Sequence, residues 1–192
     1  MKIGIFGGCF NPPHKMHKNI AIELINNNYL DKVIYVPTGN KYNKTDLISD
    51  VDRFNMLKIM CQNNINLNVS DYEFKTTLTY TYQTLDYFKS INSNDDIYFI
   101  CGADNILEIE NWKNSNYLLE TYKFIVINRD DKDISKVANK YKNKIIVANI
   151  KELDVCSTEI RNNIKKNNLI YLKKVLDIDI LNYIILNNLY KN

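Results

Sequence analysis

Six short apolar runs, separated by segments of helical periodicity, constrain this 192-residue chain more than any other feature of it. The runs are Ile3 to Phe6, Val33 to Val36, a weaker one around Leu67 to Val69, Ile97 to Cys101, Phe124 to Asn128, and Ile145 to Ala148. Runs this short, with polar or turn-forming neighbours, read as buried strands. Between and after them lie helical patterns over Lys15 to Asn28, Val51 to Asn63, Thr81 to Ile91, Ile106 through Leu119, Ile134 to Tyr141, Thr158 to Lys166 and Ile178 to Leu189. Strands alternating with helices imply βαβ units, hence parallel strands with helices on both faces. The expected fold is α/β, a doubly wound parallel sheet. In such sheets ligands bind outside the carboxyl ends of the strands, where the strand order switches.

The informative residues cluster at those ends. They are Gly8 to His17 after the first run, Pro37 to Lys44 after the second, Gly102-Ala103-Asp104 after the fourth and Arg129 after the fifth. The first of these segments, Gly7-Gly8-Cys9-Phe10-Asn11-Pro12-Pro13-His14-Lys15-Met16-His17, holds both histidines of the chain and sits where a strand hands over to a helix. Unpaired N–H groups and the positive end of the macrodipole favour an anion at a helix start. Three of the five glycines, Gly4, Gly7 and Gly8, fall in the first eight residues. Glycine permits positive φ and close backbone approach to a ligand. The segment therefore reads as a phosphate site in outline.

Length and charge exclude several classes. A chain of 192 residues that is 45% hydrophobic can bury one sizeable core, so a single domain over 1–192 is expected, with a small helical part from about residue 157. A net charge of +3, dispersed along the chain, gives no footprint for nucleic acid. No run approaches the roughly 20 apolar residues of a membrane span, and the opening Met1-Lys2-Ile3-Gly4 shows no signal-peptide pattern, so a cytoplasmic protein is expected. Cys9, Cys61, Cys101 and Cys156 have no C-x-x-C spacing, which points to reduced thiols and no structural zinc.

Neither G-x-G-x-x-G nor G-x-x-x-x-G-K-[ST] occurs, so phosphate binding has to be built another way. Gly-Gly-x-Phe-Asn-Pro-Pro-His-x-x-His near the start and Cys156-Ser157-Thr158-Glu159-Ile160-Arg161 near the end resemble the two signatures of the nucleotidylyltransferase superfamily. The middle is similar to bacterial nicotinate-mononucleotide adenylyltransferases: Thr79-Tyr80-Thr81-Tyr82-Gln83-Thr84-Leu85, Gly102-Ala103-Asp104 with Trp112, Asp52-Arg53-Phe54-Asn55-Met56-Leu57 and the ending Tyr183-Ile184 to Leu189-Tyr190. Three positions depart from the pattern. Met16 stands for the glycine between the histidines, Cys156 for the first serine of the second signature, and Tyr42-Asn43-Lys44 for Pro-Pro-His-Lys, leaving Lys44 as the matched residue.

The resemblance implies a Rossmann-like nucleotidylyltransferase fold and an enzyme that joins ATP to nicotinate mononucleotide. It assigns catalysis to His14, His17 and Arg161, with His17 on the α-phosphate. ATP would meet Gly7, Gly8, Cys9, Phe10, Gly102, Asp104, Ser157, Thr158 and Arg161. The acceptor would meet Lys44, Tyr80, Thr81, Thr84, Trp112 and Arg129, the Trp112 ring stacking on the pyridine. Mg2+ would arrive on the ATP phosphates, since no carboxylate cluster offers a protein site. Homo-oligomerisation stays open.

Each assignment has a plainer counterpart in the residues themselves. Trp112 can be core, Asp104 can cap a helix instead of holding a ribose hydroxyl, and Ser-Thr-Glu-Ile-Arg is a good helix start in any protein. Two other functions compete as well. One is a sister transferase acting on nicotinamide mononucleotide, phosphopantetheine or a cytidylyl acceptor. The other is a nucleotide-binding regulator without turnover, suggested by Met16 and the Tyr42 to Lys44 segment.

Overall fold

The computed structural model describes residues 1–39, 47–76, 79–128, 133–150 and 155–191. Its elements in order are β1 (Lys2–Gly8), α1 (Lys15–Asn26), β2 (Lys32–Pro37), α2 (Asp50–Cys61), β3 (Leu67–Val69), α3 (Tyr72–Lys75), α4 (Thr81–Ile91), β4 (Asp96–Gly102) and α5 (Ala103–Leu107). There follow a 3-10 turn (Ile109–Asn111), α6 (Ser115–Thr121), β5 (Lys123–Ile127), α7 (Ser135–Lys140), β6 (Ile145–Ala148), α8 (Ser157–Lys165), α9 (Leu169–Val175) and α10 (Ile178–Leu186).

The strands pair in parallel in the order β3-β2-β1-β4-β5-β6. That is the doubly wound arrangement, and its order reverses between β1 and β4. Side chains alternate across the sheet as strand geometry requires. Ile3 and Ile5 of β1 face a core with Leu85 and Phe88 of α4, Ile106 of α5 and Leu118 of α6. Phe6 faces the other core, with Ile20 and Leu24 of α1, Met56 and Leu57 of α2, and Ile160, Leu172 and Ile180 of the C-terminal helices. Gly4 points the same way as Phe6 and permits close packing there: a Cβ would lie 2.4 Å from a Leu30 methyl and 2.8 Å from Ile100. Among the described residues no helix is long and apolar enough to cross a membrane.

All six strand expectations hold within two residues at each end, and the helices differ in instructive ways. The stretch Ile106 through Leu119 is two helices and a 3-10 turn, broken where Asn114 takes a left-handed φ of 56°. The first helix stops at Asn26 and the last at Leu186, short of the periodic pattern, because Asn28 and Asn188 adopt left-handed φ just beyond. Helix α3 was not anticipated, since a single turn has no readable period. Nor was α9, whose Ile170 is 87% exposed and spoils the apolar stripe.

Candidate active site

A cleft of about 530 Å³ opens at the carboxyl ends of β1 and β4, where the strand order switches. One edge is Gly7, Gly8 and Cys9; Thr38 follows β2; Phe99 and Cys101 come from β4; Glu73 and the start of α4 close another side; Trp112 and Lys113 close the last. Of the anticipated residues, the fold brings Gly7, Gly8, Cys9, Tyr80, Thr81, Thr84 and Trp112 into this one cleft. His14, His17, Gly102, Asp104, Ser157, Thr158 and Arg161 lie outside its lining. Lys44 and Arg129, with Tyr42 and Asn43, lie outside the described residues.

The glycine pair behaves differently from the expectation. No described glycine has positive φ; the left-handed residue of the loop is Phe10, at φ 47°. Gly7 and Gly8 complete the extended β1, and what they supply is room: a Cβ on Gly8 would lie 3.2 Å from the Phe10 ring, and one on Gly7 3.2 Å from Phe99. Phe10 itself is 2% exposed. Its ring meets His17 edge-on with centroids 4.9 Å apart and packs against Phe6 and Tyr35. Any contact of Phe10 with a nucleotide therefore falls to its main chain.

His14 and His17 open α1. The His14 backbone N–H donates to His17 Nδ1 at 3.2 Å, and the His17 N–H donates to the His14 carbonyl at 2.9 Å. The His17 ring thus supplies one limb of a capping box, its Nδ1 accepting from the N-cap N–H three residues earlier, while the return bond goes to the main-chain carbonyl of His14. The His-x-x-His spacing, which in the sequence points to a phosphate site, also places the second ring at the third position of the helix, where it can reach back to the N-cap. The rings stack with centroids 3.7 Å apart. Because Nδ1 accepts, the proton of a neutral His17 ring sits on Nε2, which becomes a donor of fixed direction. The hydroxyl of buried Tyr35 donates to the His17 carbonyl at 2.9 Å and anchors that turn from β2.

The second signature docks on the first. Ser157 Oγ donates to the Pro12 carbonyl at 3.0 Å, and Arg161 Nη1 to the Asn11 carbonyl at 2.9 Å, while Nη2 reaches Thr158 Oγ1 at 3.1 Å. Cys156 accepts from the Glu159 N–H through Sγ at 3.4 Å and so caps α8 in the place of a serine. Asn11, 4% exposed, collects further bonds on its side-chain oxygen: the Tyr190 hydroxyl at 3.0 Å and the Ile48 N–H at 3.4 Å. Neither Asn11 nor Tyr190 was anticipated as a site residue, because both connect segments more than thirty residues apart.

On the acceptor side Trp112 is half-buried, edge-to-face with Phe99 at 5.8 Å. Thr84 is 2% exposed and donates from Oγ1 to Glu73 at 2.8 Å. Glu73 was missed with its helix. The Glu73 carbonyl would lie 2.7 Å from a Cβ on Gly39, so α3 seats closely on the chain after β2. Tyr80 is exposed beside the cleft, and its N–H donates to Gln83 Oε1 at 2.9 Å at the start of α4. Asp104 is exposed in the first turn of α5, after Gly102. A Cβ on Gly102 would meet nothing within 4 Å.

A doubly wound parallel sheet with two helix starts brought together and a cleft at the switch point has the architecture of a nucleotide-binding α/β protein. The cytidylyltransferase-like family matches residues 5–163. A probable nicotinate-nucleotide adenylyltransferase of Clostridium novyi (strain NT) is 40% identical over 182 residues, covering 89% of this chain and 91% of the relative. Another from Endomicrobium trichonymphae is 38% identical over 194 residues and covers 99% of each. Among solved structures, Plasmodium falciparum nicotinic acid mononucleotide adenylyltransferase complexed with NaAD aligns with a TM-score of 0.85 at 28% identity, over 98% of this chain and 97% of that one. The chain belongs to the nicotinate-nucleotide adenylyltransferase family.

Proposed function

We propose that this chain joins ATP to nicotinate mononucleotide, forming nicotinate adenine dinucleotide and releasing pyrophosphate. A phosphate oxygen of the mononucleotide attacks the α-phosphorus of ATP, and the bond from that phosphorus to the oxygen bridging toward the β-phosphate breaks. The attacking group is already an anion, so the site has little proton transfer to perform. It must hold two anions in line and supply preorganised donors where charge develops.

The observation that carries this reading is the hydrogen bonding of Ser157 and Arg161 to the carbonyls of Pro12 and Asn11. It sets the start of α8 against the histidine loop, so two helix N-termini and one guanidinium serve a single chain of phosphates. His17 would donate from Nε2 to the α-phosphate, with His14 stacked beneath it. Arg161 has donors beyond the two it uses here and would hold the β- and γ-phosphates with the N–H groups of Ser157 and Thr158. The Ser157 hydroxyl already donates to Pro12, so its main chain carries that contact. Gly7, Gly8, Cys9 and the main chain of Phe10 would border the nucleotide, Gly102 would leave room for it, and Asp104 would accept from a ribose hydroxyl.

The acceptor would lie between Trp112 and the start of α4. Trp112 would stack on the pyridine ring, and N–H groups near Thr81 would face its carboxylate. Tyr80 would border the entrance. The Thr84 hydroxyl is committed to Glu73, so Thr84 shapes the floor of the cleft. Lys44 and Arg129 are kept as acceptor-side candidates. Mg2+ would arrive on the ATP phosphates, where the ion offsets their charge. A cytoplasmic chain folded as a single domain completes the reading.

The test is pyrophosphate release from ATP and Mg2+ with nicotinate mononucleotide, nicotinamide mononucleotide or phosphopantetheine offered separately. Fastest release with the nicotinate acceptor is the expected result. Preference for another acceptor identifies a sister transferase, and ATP binding without release from any of them identifies a regulator.

A further inference from the structure

Arg53, in α2, is 0% exposed and belongs to none of the phosphate or acceptor contacts above. Its Nη1 donates to the Cys9 carbonyl at 2.9 Å and its Nε to the Ile48 carbonyl at 3.4 Å; Nη2 pairs with Asp50 at 2.5 Å, and the guanidinium lies 5.4 Å from the centroid of the Phe74 ring of α3. Burial lowers its pKa from the ordinary value, and Asp50 opposes that shift. Burying an ion pair gives little net stability compared with well-packed apolar side chains. What the guanidinium adds is direction, since its planar fork binds several carbonyls at fixed angles.

The carbonyl it holds belongs to the loop that edges the cleft. The Cys9–Phe10 peptide is trans, the one cis bond among the described residues being Asn11–Pro12. In a trans peptide C=O and N–H point in opposite directions. With the Cys9 carbonyl drawn inward to Arg53, the Phe10 N–H is turned outward. The left-handed φ of 47° at Phe10 is one that residues with side chains rarely adopt, so this orientation needs an external hold. Arg53 supplies it from one side, and the Phe10 ring, packed on His17 and Tyr35, from the other.

We propose that Arg53 is a positioning residue for the transfer step: its hold on the Cys9 carbonyl fixes the Cys9–Phe10 peptide so that the Phe10 N–H faces the transferring phosphate. The inference rests on the adenylyl-transfer reading, and the same guanidinium ties that loop to α3, the acceptor-side wall carrying Glu73.

The test compares Arg53→Lys, which keeps the charge and can pair with Asp50 but lacks the fork, with Asp50→Asn, which removes the ion pair and leaves the bond to Cys9. Arg53→Lys should lower kcat about ten- to a hundredfold while KM for ATP and for the acceptor stays within about threefold, the pattern of a lost transition-state contact. Asp50→Asn should keep kcat within about threefold of wild type on the same reasoning. A second readout needs no turnover. With 15N-phenylalanine labelling, the Phe10 amide resonance, identified by its loss in Phe10→Leu, should move when an ATP analogue with a methylene bridge between the α- and β-phosphates binds, and should move less than half as far in Arg53→Lys.

An Arg53→Lys kcat near wild type, an equal loss in Asp50→Asn, or a wild-type Phe10 amide that ignores the bound analogue each overturns the proposal. If Arg53→Lys does not fold, Asp50→Asn and the wild-type amide decide. If wild type releases no pyrophosphate but the amide response is present and is lost in Arg53→Lys, the functional reading fails and the hold of Arg53 on the peptide stands.

Discussion

Arg161 Nη1 donates to the main-chain carbonyl of Asn11 at 2.9 Å, across 150 residues of sequence. One end of the chain thereby fixes the shape of the loop made by the other. Arg161→Ala should weaken ATP binding about tenfold or more, because a charged hydrogen-bond donor is lost in ground and transition states alike. Isothermal titration with the methylene-bridged analogue measures it. Unchanged affinity would reduce Ser157 to Arg161 to a helix start.

His17 is held by three contacts from two neighbours: the His14 N–H on Nδ1, the stacked His14 ring and the edge of Phe10. A donor so preorganised acts mainly when charge develops. His17→Ala should lower kcat by about 10² to 10³ while the dissociation constant for ATP changes far less. His17→Gln, which keeps an N–H donor near the same place, should recover part of that loss. Near-normal turnover in the alanine variant removes His17 from the mechanism.

Trp112 is half-buried against Phe99 and presents the rest of its ring to the cleft. Losing a stacked partner costs on the order of 1 kcal/mol or more, so Trp112→Ala should raise KM for nicotinate mononucleotide about tenfold and leave that for ATP nearly unchanged. The edge-to-face contact with Phe99 adds a stability loss of about 1 kcal/mol, readable as a lower Tm in a protein that still folds. As the sole tryptophan, it should also change emission when the acceptor binds. Unfolding of the variant, with emission blind to the acceptor, assigns the ring to the core.

The four cysteines should divide two and two. Burial pushes both the Cys61 and Cys101 thiols up to about 12, so at pH 8 only about one in 10⁴ is thiolate. Cys156 is exposed at the start of α8 and Cys9 borders the cleft. Ellman's reagent should titrate two thiols quickly in the native protein and four after denaturation, and ATP should slow the fast pair. Four thiols reacting together in the native state would contradict the burial.

The alternation of apolar runs with helical segments determined the parallel α/β sheet, because buried strands and amphipathic helices write their periods into consecutive residues. Local chemistry likewise marked the histidine pair, the Gly-Gly edge and the Ser157 to Arg161 helix start. What lies beyond that needed the third dimension. Phe10, in place of a glycine, takes the left-handed turn, because its ring finds a socket between Phe6, Tyr35 and His17. Asn11, Arg53, Glu73 and Tyr190 acquire their parts only where segments distant in sequence meet, and no spacing along a chain records which carbonyl a buried guanidinium will hold. The strand order, and with it the cleft between β1 and β4, follows from how the crossovers pack on the two faces of the sheet. Sequence therefore set the elements and the chemistry available; tertiary packing decided which groups are held, in which direction, and against what.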